Sequence, residues 1–137
     1  MKISTVNAVV SILSGLKINR ISDKRVKTAL LNDYLHLRSF VKDADGRRAE
    51  LVRKFQADWD DELDAVEAMR REGRPVTGHD AYLEAERDAN ALIEEVFNED
   101  VEVSVQPVPL QDFMSACKEE ELTMEQVAFL MEQWIIS

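Results

Sequence analysis

One long apolar stripe constrains the fold of this chain more than any other feature of its sequence. Its members recur at steps of three and four residues: Val26, Leu30, Tyr34, Leu37, Val41 and Ala44, then Leu51, Phe55, Trp59, Leu63, Val66 and Met69. Such spacing places one face of an α-helix against a packing partner, as in a coiled coil. Gly46 interrupts the stripe, but a glycine inside a packed helix costs only about 1 kcal/mol relative to alanine. We therefore predict one continuous or gently kinked helix over about residues 23–72, with a turn at 43–46 as the alternative.

A second helical stripe follows a loop rich in glycine and proline at residues 73–78, where one helix should end and another begin. Thr77 precedes Asp80 by three residues, which is the spacing of a capping box. The apolar members of this stripe are Tyr82, Ala85, Ala89, Leu92, Ile93 and Val96. The fold class we predict is mainly α, with the two stripes packed as a long, coiled-coil-like antiparallel helical hairpin over about residues 23–98.

The two ends of the chain, residues 1–22 and 99–137, are predicted to form a small α/β terminal module. Apolar residues between Val6 and Leu16 recur at helical spacing, and residues 110–117 predict another short helix. At Val101, Val103 and Val105 the period changes to two, which is typical of a half-buried strand. Because a lone strand leaves its backbone groups unpaired, we expect a partner, either residues 2–5 or another copy of the chain.

The last apolar stripe lies at the end of the chain. Thr123 and Gln126 have capping-box spacing, so a closing helix is expected from Thr123 to Ile136. Its large side chains form the predicted partner-binding set: Val127, Leu130, Met131, Trp134 and Ile135. This stripe must be buried either on the chain's own terminal module or in a groove of another subunit, and the sequence leaves both alternatives open.

Length and composition indicate a single folded domain over residues 1–137. Apolar residues make up 45% of the chain and charged residues 32%, which is typical of a water-soluble protein. No apolar run approaches the roughly 20 residues that span a bilayer, and the first residues lack the pattern of a secretory leader. A single cysteine, Cys117, cannot form an internal disulfide. We expect a cytoplasmic protein with no membrane partner.

Charge is divided unevenly along the chain, whose net charge is −10. Residues 17–54 carry 11 Lys/Arg against 5 Asp/Glu, whereas residues 55–137 carry 5 against 22. The net charge opposes general nucleic-acid binding. The basic segment from Lys17 to Lys27, which also contains Arg20, Lys24 and Arg25, is expected to pair with the acidic half or with a partner subunit. A nucleic-acid-associated regulatory protein that uses this segment is the alternative function.

No group of residues has the pattern of a catalytic or cofactor site. Asp33 and His36 share a helical face with metal-ligand spacing, but a dimetal site needs a second such pair, which the sequence lacks. His79 is expected to be structural or exposed. Three acidic clusters, at residues 58–64, 94–100 and 119–121, lack the alternation of a calcium loop and predict solvated faces. We expect no metal, no cofactor and no enzymatic activity.

Four stretches carry a family resemblance. The chain begins Met1-Lys2-Ile3 and later has Arg47, Leu51 and Phe55 on a charged helix. Residues 92–103 read Leu-Ile-Glu-Glu-Val-Phe-Asn-Glu-Asp-Val-Glu-Val. Leu122-Thr123 then opens the last helix. This order resembles a family of short bacteriophage and prophage proteins encoded among head and tail structural genes. Where many of those proteins have a short acidic-glycine loop after the aromatic residue, this chain reads Asp-Trp-Asp-Asp at 58–61.

The resemblance implies a role in virion assembly or as a minor structural component, in the host cytoplasm or in the virion. It carries no functional residues to this chain. The function we predict is therefore non-enzymatic protein–protein interaction. The expected partners are other protein subunits, among them phage structural proteins, and further copies of the chain.

Overall fold

A computed structural model describes residues 1–118 and 120–137, so Glu119 of the third acidic cluster lies outside the described residues. The prediction of a mainly helical protein is confirmed. The described helices are α1 (Ile3–Ser14), a 3-10 turn (Ile18–Arg20), α2 (Lys24–Asp58), α3 (Asp60–Arg71), α4 (Asp80–Asn98), α5 (Leu110–Ala116) and α6 (Met124–Glu132). None of these helices is both long and apolar enough to cross a bilayer.

The chain divides into two compact units, and the division falls inside α2. The terminal unit comprises residues 1–42 and 100–137, and the central unit comprises residues 43–99. The sequence predicted the edge of its helical hairpin near residue 23, whereas the division between the units lies at 42–43. The reason is that the apolar residues of the first half of α2, such as Leu30 and Leu37, join the core formed by the chain ends.

The core of the terminal unit is built from one face of each helix. On α1 the buried residues Val6, Val9, Val10 and Leu13 follow the three-and-four spacing predicted from the sequence. Phe113 of α5 and Leu130 of α6 pack into the same cluster. Burying a large apolar side chain contributes about 1.5–3 kcal/mol, so this shared cluster is what holds the chain ends together.

The strand predicted at Val101–Val105 is absent from the described residues, where the only β-pairings are isolated bridges between Lys2 and Asp100 and between Val108 and Ile136. The expected pairing segment, residues 2–5, is already helical because α1 begins at Ile3. Only the first residues remain to pair, and Met1 exchanges backbone hydrogen bonds of 2.8 and 3.1 Å with Val101. The three valines still pack against the core, so the alternation correctly indicated half-burial.

The long helix is continuous through Gly46, as predicted, but it ends at Asp58 and not near residue 72. Trp59 leaves helical geometry at φ −125°, and α3 begins at the next residue. Asp60, Asp61 and Glu62 occupy the first turn of α3. Carboxylates there interact favourably with the positive end of the helix dipole, which makes this position a stable place to start a new helix.

Within the central unit, α3 reverses direction, so the predicted hairpin is wrong beyond Asp58. Contacts of α2 with α4 run antiparallel, because the sequence separation falls from 52 for Arg47 with Glu99 to 27 for Phe55 with Tyr82. Contacts of α3 with α4 keep nearly constant separations, 17 for Glu62 with His79 and 16 for Arg70 with Glu86. Constant separation means that α3 and α4 run in the same direction, and residues 72–79 connect them.

The two predicted capping boxes have different outcomes. At α6 the box is present: the Gln126 backbone N–H donates to Thr123 Oγ1 at 3.1 Å, and the Thr123 backbone N–H donates to Gln126 Oε1 at 2.9 Å. At α4 the box is wrong, because the N-cap residue is His79 and no side chain caps the helix.

Candidate protein-binding surfaces

The predicted partner-binding residues of the last helix separate into a buried and an exposed set. Leu130 and Ile135 lie in the core of the terminal unit, and Val127 packs partly against that core. Met131 and Trp134 are exposed, at 39% and 69% of their surfaces. Leu130 and Ile135 thus pack on the chain's own core, and Trp134 does not.

The exposure of Trp134 follows from how α6 ends. The helix stops at Glu132, four residues before the predicted end, in a Schellman motif. In this motif the Trp134 backbone N–H donates to Met131 O at 3.1 Å, and the Ile135 backbone N–H donates to Leu130 O at 3.0 Å. Trp134 thereby occupies the position that glycine usually takes, with a left-handed φ of 62°. The chain reverses there, so Ile135 returns to the core while the indole points to solvent.

The backbone conformation of Trp134 is energetically unfavourable for a bulky residue. A left-handed conformation costs roughly 1–2 kcal/mol for a residue that has a Cβ. An exposed indole gains little from burial to offset that cost. Strained residues of this kind tend to occur at functional positions, which makes Trp134 the principal candidate of this surface.

Asp33 and His36, considered above as metal ligands, instead bind the extended segment that follows α4. The Gln106 backbone N–H donates to Asp33 Oδ1 at 2.7 Å, and the Ser104 backbone N–H donates to His36 Nε2 at 3.2 Å. The pair therefore replaces the missing strand partner, a role that the sequence spacing did not indicate.

Asp33 is the one buried charged residue in the core of the described chain, with 1% of its surface exposed. Its Oδ2 atom has no hydrogen-bond partner among the described residues. Burial raises the pKa of Asp33 to about 6, against the lowering effects of the Gln106 N–H and of the His36 charge. Burial disfavours the carboxylate relative to the protonated acid.

Two other reactive side chains, His79 and Cys117, are engaged in contacts within the fold. His79 Nδ1 lies 2.8 Å from Glu62 Oε2, which joins the start of α4 to the start of α3. Cys117 is buried in the core, and this burial, followed by the charge of Glu120, raises the pKa of its thiol to about 11. A thiol with so high a pKa is a poor nucleophile near neutral pH.

The sequence predicts that the basic segment pairs with the acidic half of the chain or with a partner subunit. None of its five cations, Lys17, Arg20, Lys24, Arg25 and Lys27, forms an ion pair with a described carboxylate. The backbone N–H of Lys17 does donate to Glu120 Oε1 at 3.0 Å, and Lys27 Nζ reaches Asn19 O at 3.5 Å. Lys17, Arg20, Lys24 and Arg25 are exposed, whereas Lys27 is partly buried.

The central unit contains a second candidate surface, a groove of about 700 Å³ between α2 and α4. Its apolar lining is Leu51 and Ala57 from α2 with Leu92 and Val96 from α4, and charged side chains line both walls. Leu92 is 48% exposed.

Comparison of the chain with known protein families, with curated proteins and with solved structures found no match.

Proposed function

We propose that this protein is a non-enzymatic structural or assembly component that works by binding other protein subunits. The observation that carries the proposal is Trp134, an exposed indole on a strained backbone at the end of α6. The family resemblance of the sequence supports phage or prophage particles as the setting. Such a component would act in the host cytoplasm or within the virion.

Trp134 has the properties of an interface anchor. Tryptophan is enriched among the few residues that supply most of the energy of protein interfaces, because its large rigid ring buries much surface. Met131 lies on the last turn of α6, three residues before Trp134 in the chain, and is itself partly exposed. Methionine adapts its shape to a partner, so the two side chains together offer an apolar contact beside a rigid core.

Two substitutions at Trp134 test this proposal. Trp134→Ala removes the indole and keeps the strained backbone, whereas Trp134→Gly removes both. Both variants should keep the helical fold but lose most of their co-sedimentation with assembled phage particles from an induced lysogen. Leu35→Ala, at a residue of α2 that is 52% exposed, is the matched control and should co-sediment like the parent chain. Parent-like co-sedimentation of both Trp134 variants would contradict the proposal.

A second candidate function, nucleic-acid binding, is favoured by the four exposed cations of the basic segment, Lys17, Arg20, Lys24 and Arg25. Each phosphate that a protein neutralises makes its affinity fall more steeply with salt. Lys24→Glu combined with Arg25→Glu should then abolish retention on DNA and flatten its salt dependence. A parent chain that is not retained on DNA at low salt would exclude this candidate, and the net charge of −10 favours that result.

A further inference from the structure

The packing of α2 against α4 in the central unit has two sides that are covered differently. On one side α3 contributes Leu63, Glu67 and Arg70, which lie beside Phe55 and Ile93 around a narrow gap of about 210 Å³. On the other side lies the wider groove of about 700 Å³, whose lining residues come from α2 and α4 alone. The groove is therefore the uncovered side of the α2–α4 pair.

The central unit buries little of its own apolar surface. Among its residues, all of which are described, the buried apolar side chains are Ala44, Val66, Tyr82 and Val96. Leu92 lies half exposed in the groove, and Leu51 is only partly buried. Helices of this kind usually gain stability by burying such a stripe against further helices. The groove thus has the apolar surface of one half of a helical bundle.

The charges on the two walls of the groove are opposite in sign. The α2 wall carries Arg47, Arg53, Lys54 and Glu50, and the α4 wall carries Glu95 and Glu99. Arg47 pairs with Glu99 across one end of the groove, and Arg53 pairs with Glu50 on α2. Lys54 and Glu95 form no ion pair with any described residue. Each wall therefore keeps one charge without a partner, positive on α2 and negative on α4.

We propose that the same groove of a second copy of the chain closes this surface and forms a four-helix, two-fold symmetric dimer. Two copies that meet face to face are related by an axis in the plane between them. An axis perpendicular to the helices would place α2 against α2, so that two walls of net positive charge face each other. An axis parallel to the helices places α2 against α4 of the second copy, where Lys54 meets Glu95 twice. The charge pattern selects the parallel axis.

The apolar lining supports the same arrangement. Under the parallel axis, Leu51 of one copy faces the α4 side of the other, where Leu92 and Val96 lie. The groove would then become a core of four helices with its charged residues at the rim, the usual arrangement of protein interfaces. This inference goes beyond the proposed function, since it concerns the central unit and does not involve Trp134.

Analytical ultracentrifugation of the full chain over a wide concentration range tests the dimer. The parent chain should dimerise reversibly, and Leu92→Glu should raise its dissociation constant about a hundredfold. Leu35→Glu introduces the same charge at an exposed residue of the terminal unit and should leave the dissociation constant unchanged. Circular dichroism checks that each variant keeps its helical content. A parent chain that stays monomeric up to about 1 mM overturns the proposal and leaves a different protein as the occupant of the groove.

Charge reversal tests the axis. Lys54→Glu alone and Glu95→Lys alone each place like charges opposite one another twice, so each should raise the dissociation constant at least about tenfold. An equimolar mixture of the two variants can form a mixed dimer in which both facing pairs are again of opposite charge. That mixture should dimerise like the parent chain. If the single variants weaken dimerisation and the mixture does not restore it, Lys54 does not face Glu95 of the second copy and the proposed axis is overturned.

Discussion

The buried carboxyl of Asp33 should make the stability of this protein depend on pH in a way that one substitution isolates. Its pKa is about 6 in the folded chain, against an ordinary value of 3.8. The folded state therefore binds this proton more tightly than the unfolded state. The resulting stabilisation is fully present below about pH 3.8 and is lost as the pH rises through about 6.

The size of this stabilisation follows from the difference between the pKa of Asp33 in the folded and in the unfolded chain. About two pKa units at 1.36 kcal/mol per unit amount to roughly 3 kcal/mol. Asp33→Asn removes the titration while its side-chain oxygen can still accept from the Gln106 N–H. The amide group that replaces Oδ2 has no partner, but that loss does not vary with pH. The free energy of unfolding of the parent chain minus that of the variant should therefore fall by about 3 kcal/mol between about pH 3 and about pH 7.

Urea unfolding followed by circular dichroism at closely spaced pH values measures this difference, because other carboxyl groups contribute equally to both proteins and cancel. Asp45→Asn, at an exposed position on the same helix, controls for the loss of one negative charge. A difference that stays constant or grows with rising pH would refute the reasoning.

Three further predictions concern the ends of helices and the core. Trp134→Gly should raise the free energy of unfolding, measured in thermal melts, by about 0.5–1 kcal/mol. Glycine relieves about 1–2 kcal/mol of backbone strain, which outweighs the entropic cost of ordering a glycine on folding. Trp134→Ala should leave it nearly unchanged, and a destabilised Trp134→Gly chain would contradict the assigned strain. Thr123→Ala should lower the free energy of unfolding by about 0.5–2 kcal/mol, because it removes the side chain that caps α6. Thr123→Ser should restore most of that loss. Cys117 should react with a disulfide reagent near pH 8 at least about a hundredfold more slowly in the folded chain than in urea, and equal rates would contradict its burial and raised pKa.

The sequence predicted the helical faces well and the chain direction poorly. Spacing alone identified the buried face of α1 and the continuity of α2 through Gly46, because both depend on local periodicity. The same stripe passes through Trp59 without a change of phase, so it could not reveal that α3 turns back. The signal was present in the next three residues, Asp60, Asp61 and Glu62, which are typical of a helix start.

The candidate binding surface was only half predictable for a similar reason. The stripe of the last helix correctly marked Leu130 and Ile135 as large apolar residues that must be buried. The same stripe also included Trp134. A glycine usually marks the end of a helix in a Schellman motif, but here tryptophan occupies that position, so the spacing did not reveal where α6 ends. The groove between α2 and α4 depends on which helices pack together, which the sequence does not determine locally.

The pairing of the 101–106 segment shows how a helix can serve in place of a strand. In an extended chain, alternate backbone N–H groups point the same way and repeat about every 6.6 Å. Residues three apart on a helix lie on one face, about 4.5 Å apart along its axis, and side chains can span the remaining distance. Asp33 and His36 have this spacing, and they accept from Gln106 and Ser104 in antiparallel order. Backbone carbonyl groups inside a helix are already paired, so the acceptors here are side chains. The carboxyl of Asp33 titrates, whereas the carbonyl groups of a strand would not. The half-buried valines therefore need no sheet, and the stability of their segment is tied to the protonation of Asp33.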